Sequence, residues 1–552
     1  MTVKAIKDLF EQGQYQEVIN QLAQLKIEGT FGTFTEQEQI ECIYYQSYAL
    51  GFGLRQWDEA LQIVLAARKI YASPNDRSLL LVLLTQHIFI LHKKTEIDQM
   101  DRCDETFEVI TKGNAILESL TAKERETGAY WIALFEERRG MYYDFKKDWD
   151  AALECYQRAL ALRKEIGEPS AVRQSLYNIG MHYLDKRELD LALDYYQQAL
   201  SMDKQEGNLE WTAGTLAEIG GIHDAKGDLD IALDYYQQAL SISEKIGSAH
   251  RIADALNRIG FLYWNRGEFD QALDYYRRML TIREESGMSE DIAGALFLIG
   301  IVYGNKGELN TALDYYQRSL AIWKTVGSDV GASYPLFAMI DLFLNQQDTT
   351  QAQEYLSQLQ KLHERTPHET IYHQRQLAEA LLLKQSKRMA DQVQAQAILQ
   401  QLLTEKNLFF VWARFALFHL CELLLIEVKS FGDPEVWEEA KTLIHQFYTQ
   451  AQDRHSFSMI GQALLLRAKV AVIDGDLQQV LDYYEQARLM AEEKNIGWLS
   501  QKVDVEQERF EAEFEKWRAL IQRNASLQER LTQSQLDDYI QQVQKLVTRM
   551  KD

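Results

Sequence analysis

The sequence predicts an all-α fold, a right-handed solenoid of stacked helix-turn-helix units with a C-terminal capping helix. Three observations carry this expectation. A motif recurs at a fixed interval: AALECYQRAL begins at Ala151, LALDYYQQAL at Leu191, IALDYYQQAL at Ile231, QALDYYRRML at Gln271 and TALDYYQRSL at Thr311, 40 residues apart each time. A constant period of this size marks one supersecondary unit that is copied and stacked. Five prolines in 552 residues leave few helix breakers. A chain that is 46% hydrophobic and 26% charged is globular, neither disordered nor built on a disulfide scaffold.

Each unit holds two amphipathic segments. Upstream of the motif stand SLYNIGMHY, TLAEIGGIH, ALNRIGFLY and ALFLIGIVY, which place Gly180, Gly220, Gly260 and Gly300 in register. Between the segments, Gly227, Gly267 and Gly307 fit the position just past a helix end, and the acidic residue that follows favours a new helix start. In the second segment Ala192, Tyr196 and Ala199 share one helical face, and the small residues let two helices approach closely while aromatics fill the crossing. The tyrosine pairs, Tyr195/Tyr196 onward, read as core filling. Weaker copies extend the array: 13–22 and 55–68 at the amino end, then 371–383 with 395–403, 408–428 with 436–448, and DGDLQQVLDYYEQARLM from Asp474. About twelve pairs result, at 38 to 45 residues each. The expected organisation is degenerate helical repeats over 1–140, the regular array over 141–366, degenerate repeats over 367–496 and capping helices over 497–552. In the last segment Leu536, Ile540, Val543, Val547 and Met550 form an apolar stripe at helical spacing.

Leu176, Gly180, Tyr183, Ala192, Tyr196 and Ala199 carry a resemblance to the tetratricopeptide repeat, a helix-turn-helix unit, and the same positions recur in at least four further units. The 40-residue period is longer than the usual 34 and is similar to the long-repeat subgroup of kinesin light chain type adaptors. The resemblance implies a groove lined by the first helix of each unit. Carried over residue by residue, its lining comprises Tyr177, Asn178, Met181, Glu218, Asp224, Asn257, Arg258, Phe261, Trp264, Asn265, Phe297 and Ile301. Family members that clamp a peptide's terminal carboxylate use Lys and Asn at the first pair of positions, which this sequence does not have.

Charge and motifs narrow the function. Lys and Arg number 59 against 82 Asp and Glu, a net charge of −23 that repels a phosphate backbone, so nucleic acid is not an expected partner. Cys42, Cys103, Cys155 and Cys421 are widely spaced and read as small residues of a reducing, cytoplasmic compartment. No apolar core of signal-peptide length opens the chain. Residues 79–91 are too short to span a bilayer, and 408–428 carries Arg414, His419, Glu422 and Glu427. P-loop, GxSxG, HExxH and dinucleotide-turn patterns are absent. His363, Glu364 and His368 miss the spacing that places two histidines on one helical face, and Asp224, Asp228 and Asp230 lack the closing residues of a calcium loop. The expectation is a non-enzymatic scaffold or adaptor without a cofactor. It would bind a peptide or partner protein that offers apolar anchors and a basic flank. The alternative is a peptide- or ligand-responsive regulatory sensor acting on a separate effector.

Overall fold

A computed structural model describes residues 2–530 apart from 12–13, 28–29, 54–55, 72–76, 99–102, 387, 406–407, 409, 432, 454–455, 494–495 and 527–528. Among the described residues there are 26 α-helices and no strand, an all-α repeat solenoid. The chain forms two compact units, 1–222 and 223–552.

The regular repeats have first helices of 17 or 18 residues, such as Pro169–Asp185, Ala249–Asn265 and Ser289–Lys306, and second helices of 18, such as Leu189–Glu206, Phe269–Ser286 and Leu309–Val326. Glycine ends them. Gly227, Gly267 and Gly307 close first helices at φ of 84°, 75° and 82°, and Gly207, Gly247, Gly287 and Gly327 close second helices in the same left-handed region. A side chain there meets its own carbonyl, which is why glycine dominates these ends. Arg187 and Gln347 hold equivalent turns at φ of 61° and 62°, so the turn persists where glycine is lost.

The crossing of the two helices rests on a ring against a bare backbone. A Cβ on Gly260 would stand 2.7 Å from the Tyr276 ring, and one on Gly300 2.6 Å from Tyr316. In the first unit Gly140 and Gly180 meet Tyr156 and Tyr196 in the same way. All four tyrosines are buried. The preceding tyrosine of each pair does something else: it stacks on an aromatic near the end of the first helix. Tyr183 and Tyr195 lie 5.5 Å apart, Tyr263 and Tyr275 5.4 Å, Tyr303 and Tyr315 5.5 Å, and His223 takes the place of a tyrosine against Tyr235 at 5.6 Å. The paired rings therefore serve two separate contacts.

The weaker copies fold as helix pairs. Glu369–Lys384 precedes Met389–Thr404, and Phe410–Phe431 precedes Pro434–Asp453. No helix among the described residues is long and apolar enough to cross a membrane. After the pair Phe457–Asp474 and Leu477–Glu493, the 26-residue helix Gly497–Gln522 covers the end of the array. Val503, Phe510, Trp517 and Leu520 bury its apolar face in the core of the second unit, and Glu506 pairs with Lys469 at 3.2 Å. The stripe from Leu536 to Met550 lies outside the described residues.

This cap sets a stability test. Trp517 is 1% exposed, so Trp517→Ala should destabilise by about 3 to 5 kcal/mol, the cost of truncating a fully buried ring. Chemical denaturation monitored by circular dichroism checks the expected fall.

Candidate binding face

The expected lining residues divide between the two units. In the first, Tyr177 is half-buried and lies edge-on to Tyr196 and Trp211, at 5.1 and 6.2 Å. Asn178 accepts a bond from Gln174 at 3.0 Å, Glu218 is half-buried, and Met181 is 46% exposed. In the second unit, Phe261 is 40% exposed with its ring 5.5 Å from Trp264. Arg258 is committed locally: its Nε donates to Asp254 at 3.2 Å and its guanidinium lies 6.0 Å over Tyr236. Asp224, Asn257 and Asn265 are half-buried. Trp264, Phe297 and Ile301 are half-buried and pack against the hydrophobic core. Phe297 stands 5.8 Å from Tyr316 and 5.9 Å from Tyr334. Phe261 is thus the one large apolar side chain of the second-unit set that is exposed rather than half-buried or buried.

Further along the second unit, first helices turn aromatic faces towards one another. Phe337 of the Asp329–Asn345 helix meets Trp412 at 4.9 Å and Phe415 at 5.6 Å on the Phe410–Phe431 helix, with Tyr334 6.4 Å from Trp412. Beside this aromatic layer lies a charged one. Lys384 bonds to Glu422 and approaches His419 Nδ1 at 2.9 Å, while His419 Nδ1 and Glu422 Oε2 stand 3.0 Å apart. Asp341 accepts from Asn345 at 3.3 Å. Burial raises the Asp341 carboxyl to about 6, with Lys384 and Asn345 pulling the other way. Burial also lowers His419 to about 4, helped by Lys384 and opposed by Glu422. For Glu422 burial opposes ionisation, yet Lys384, the His419 bond and Lys502 hold its carboxyl well below the usual range. The result is a largely covered carboxylate–ammonium pair beside a neutral imidazole.

Asp341 stands 40 residues after Ile301, so one more step of the repeat register points to it. Trp412, His419 and Glu422 carried no such marker, because the repeat signature has eroded there. The other chemistry-bearing residues have structural roles. His368 Nδ1 accepts the Thr370 backbone N–H at a helix start, Asp228 pairs with His223 at 3.2 Å, and Asp230 pairs with Arg266 at 2.7 Å. No group of three or more His, Cys, Asp or Glu side chains converges as a metal site among the described residues. Burial pushes the Cys155 and Cys421 thiols upward, away from the reactive thiolate.

Residues 205–496 match the family described as MalT-like TPR region, and residues 131–205 match the tetratricopeptide repeat. No curated protein matches the sequence. Among solved structures the chain is similar to the apo form of RapI, at 15% identity and a TM-score of 0.47 over 67% of this chain and 98% of that one. It is similar to the apo quorum sensor NprR from B. thuringiensis, at 15% identity and a TM-score of 0.43 over 65% and 97%. A third is a putative kinesin light chain repeat protein of Podosopora anserina, at 14% identity and a TM-score of 0.31 over 35% and 94%.

The charged layer gives opposite pH signatures for two side chains. His419 takes its proton near pH 4 when folded, against an ordinary 6.5, so its contribution is present above about 6.5 and is lost as pH falls towards 4. Asp341 ionises near 6 when folded, against 3.8, so its ionisation costs stability as pH rises through that window. Urea midpoints at about pH 7.5 and 4.5 should show His419→Asn losing less stability than the parent on acidification, and Asp341→Asn losing more.

Proposed function

This chain belongs to the MalT-like TPR family, and we propose on that premise that it is a non-enzymatic scaffold binding a peptide or partner protein on the first helices of its repeats. The observation that carries the proposal is Phe261, a large apolar side chain 40% exposed beside the half-buried Trp264. The Tyr334, Phe337, Trp412 and Phe415 rings of the same unit, by contrast, pack on each other. Aromatic side chains with one open flank are the residue types that anchor interfaces.

The partner that fits brings an apolar anchor to Phe261. The net charge of −23 favours a basic flank on that partner, since opposite fields speed encounter and orient it. With Arg258 engaged by Asp254 and Tyr236, a partner carboxylate is not required here. A cytoplasmic setting belongs to this reading.

Phe261→Glu places a charge at the centre of the expected contact while leaving the core untouched. Affinity capture from the source cells should recover partners with the parent chain and lose them with Phe261→Glu, and the melting temperature should stay within a few degrees. Identical capture by both proteins contradicts the proposal. So does a collapse in melting temperature, which would make Phe261 a core residue.

A further inference from the structure

In the second unit the helix Thr349–Arg365 packs on Glu369–Lys384, which pairs with Met389–Thr404. The seam between these repeats is unlike the seams before it. In the preceding repeats the second helix opens on residues that pack on the core: Leu229, Phe269 and Leu309 at its first position, and Leu233, Leu273 and Leu313 four residues on. An ion pair ties each seam to the next repeat, Asp230 to Arg266 and Asp270 to Lys306, both at 2.7 Å. Two further steps of the register replace Asp270 by Asn310 and then Thr350, and Lys306 by Gln346 and then Ser386. Thr349 and Gln353 take the two apolar positions and are exposed. This seam has therefore given up both the apolar contact and the ion pair that stack one repeat on the next.

A groove of about 740 Å³ opens there, inside the roughly 300–1,000 Å³ of ligand-sized sites. Leu382 and Leu383 are its apolar members, Glu354 and Asp391 its charged ones, and no lysine or arginine lines it among the described residues. Ser386 stands where Arg266 and Lys306 stand in earlier repeats, and Asp391 where Ile231, Gln271, Thr311 and Gln351 stand, so the seam has lost a cation and gained a carboxylate. Asp391 Oδ2 accepts from the Ser386 hydroxyl at 2.5 Å, a neutral donor where the register earlier placed a charged one. Glu354 is exposed, and no hydrogen bond or ion pair holds its side chain among the described residues.

We infer that this groove takes the cationic side chain of a partner peptide, a lysine or arginine that supplies the seam's missing cation to Asp391 and Glu354. A cationic head offers both carboxylates charge-assisted hydrogen bonds, which are stronger than the one the Ser386 hydroxyl gives. Its methylene stem covers Leu382 and Leu383, as long basic side chains do on apolar surface. The net charge of −23 draws a basic segment towards the chain. The inference rests on the scaffold reading for its class of partner and gives that partner's basic flank a place of its own, apart from Phe261.

The capped tripeptide acetyl-Leu-Lys-Leu-amide and the same peptide acetylated on its lysine differ in the charge offered to the groove. Titrated calorimetrically into the full-length protein, the lysine peptide should bind saturably and about tenfold more tightly than the acetylated one, the difference a charged hydrogen-bonded contact supplies. Glu354→Gln with Asp391→Asn should bring the lysine peptide down to the acetylated peptide's affinity. Thr350→Asp with Ser386→Lys rebuilds the ion pair of the earlier repeats, and should abolish binding while the melting temperature stays at or above the parent's. The carboxylate variants keep the test valid if the rebuilt pair does not fold. No saturable binding, equal binding of the two peptides, a lysine preference that survives loss of both carboxylates, or undiminished binding to the folded rebuilt pair overturns the inference. Binding seen only after Lys387→Ala overturns it in favour of the chain's own lysine as the occupant. Phe261→Glu should bind the lysine peptide as the parent does, so failure here is distinct from failure of the scaffold reading.

Discussion

A tyrosine ring pressed on a bare glycine backbone is the contact on which the array depends. Tyr276 on Gly260 and Tyr316 on Gly300 fix how closely the two helices of a unit cross in the second unit of the chain, and Tyr156 on Gly140 and Tyr196 on Gly180 do so in the first. The ring fills the volume that the missing Cβ vacates, so the crossing is close-packed without a cavity. Glycine in a helix interior costs about 0.5 to 1 kcal/mol relative to alanine, and the sequence accepts that cost at the same point of successive repeats. Given the crossing, the remaining faces of the first helices are left for other work.

Those faces are used unevenly. Where aromatic side chains find each other, as Phe337 does with Trp412 and Phe415, they become part of the core. Where they do not, as at Phe261, apolar surface stays in water. The charged layer of Lys384, His419 and Glu422 is internally matched, and Arg258 is matched to Asp254. Arg138 is paired with Glu137 at 3.8 Å and donates to Met141 sulfur at 3.1 Å. With these charges matched, the open apolar surface at Phe261 is what marks a candidate protein contact.

The fold was largely legible in the sequence because the contact that sets it is written as residue identity every 40 positions. Gly227, Gly267 and Gly307 adopt the left-handed turn their spacing implies. The binding face was less legible, because register gives the direction of a side chain and not what meets it. Met181 and Phe261 share a register position and are both exposed, but Ile301, in that same position, is half-buried and packs on the core. Trp412 and Glu422 gave no register signal, since the identities that mark the register had already changed.

One substitution made at two glycines tests the central contact. Gly260 and Gly294 both lie inside first helices of the second unit, but a Cβ on Gly260 meets the buried Tyr276 ring while one on Gly294 meets nothing within 4 Å. Intrinsic helix preference alone predicts that alanine stabilises both by about 0.5 to 1 kcal/mol. Urea denaturation of Gly260→Ala and Gly294→Ala should instead show Gly260→Ala less stable than the parent and Gly294→Ala at or above it. Equal or greater stability of Gly260→Ala would contradict the claim that the ring-on-glycine contact holds the repeat together.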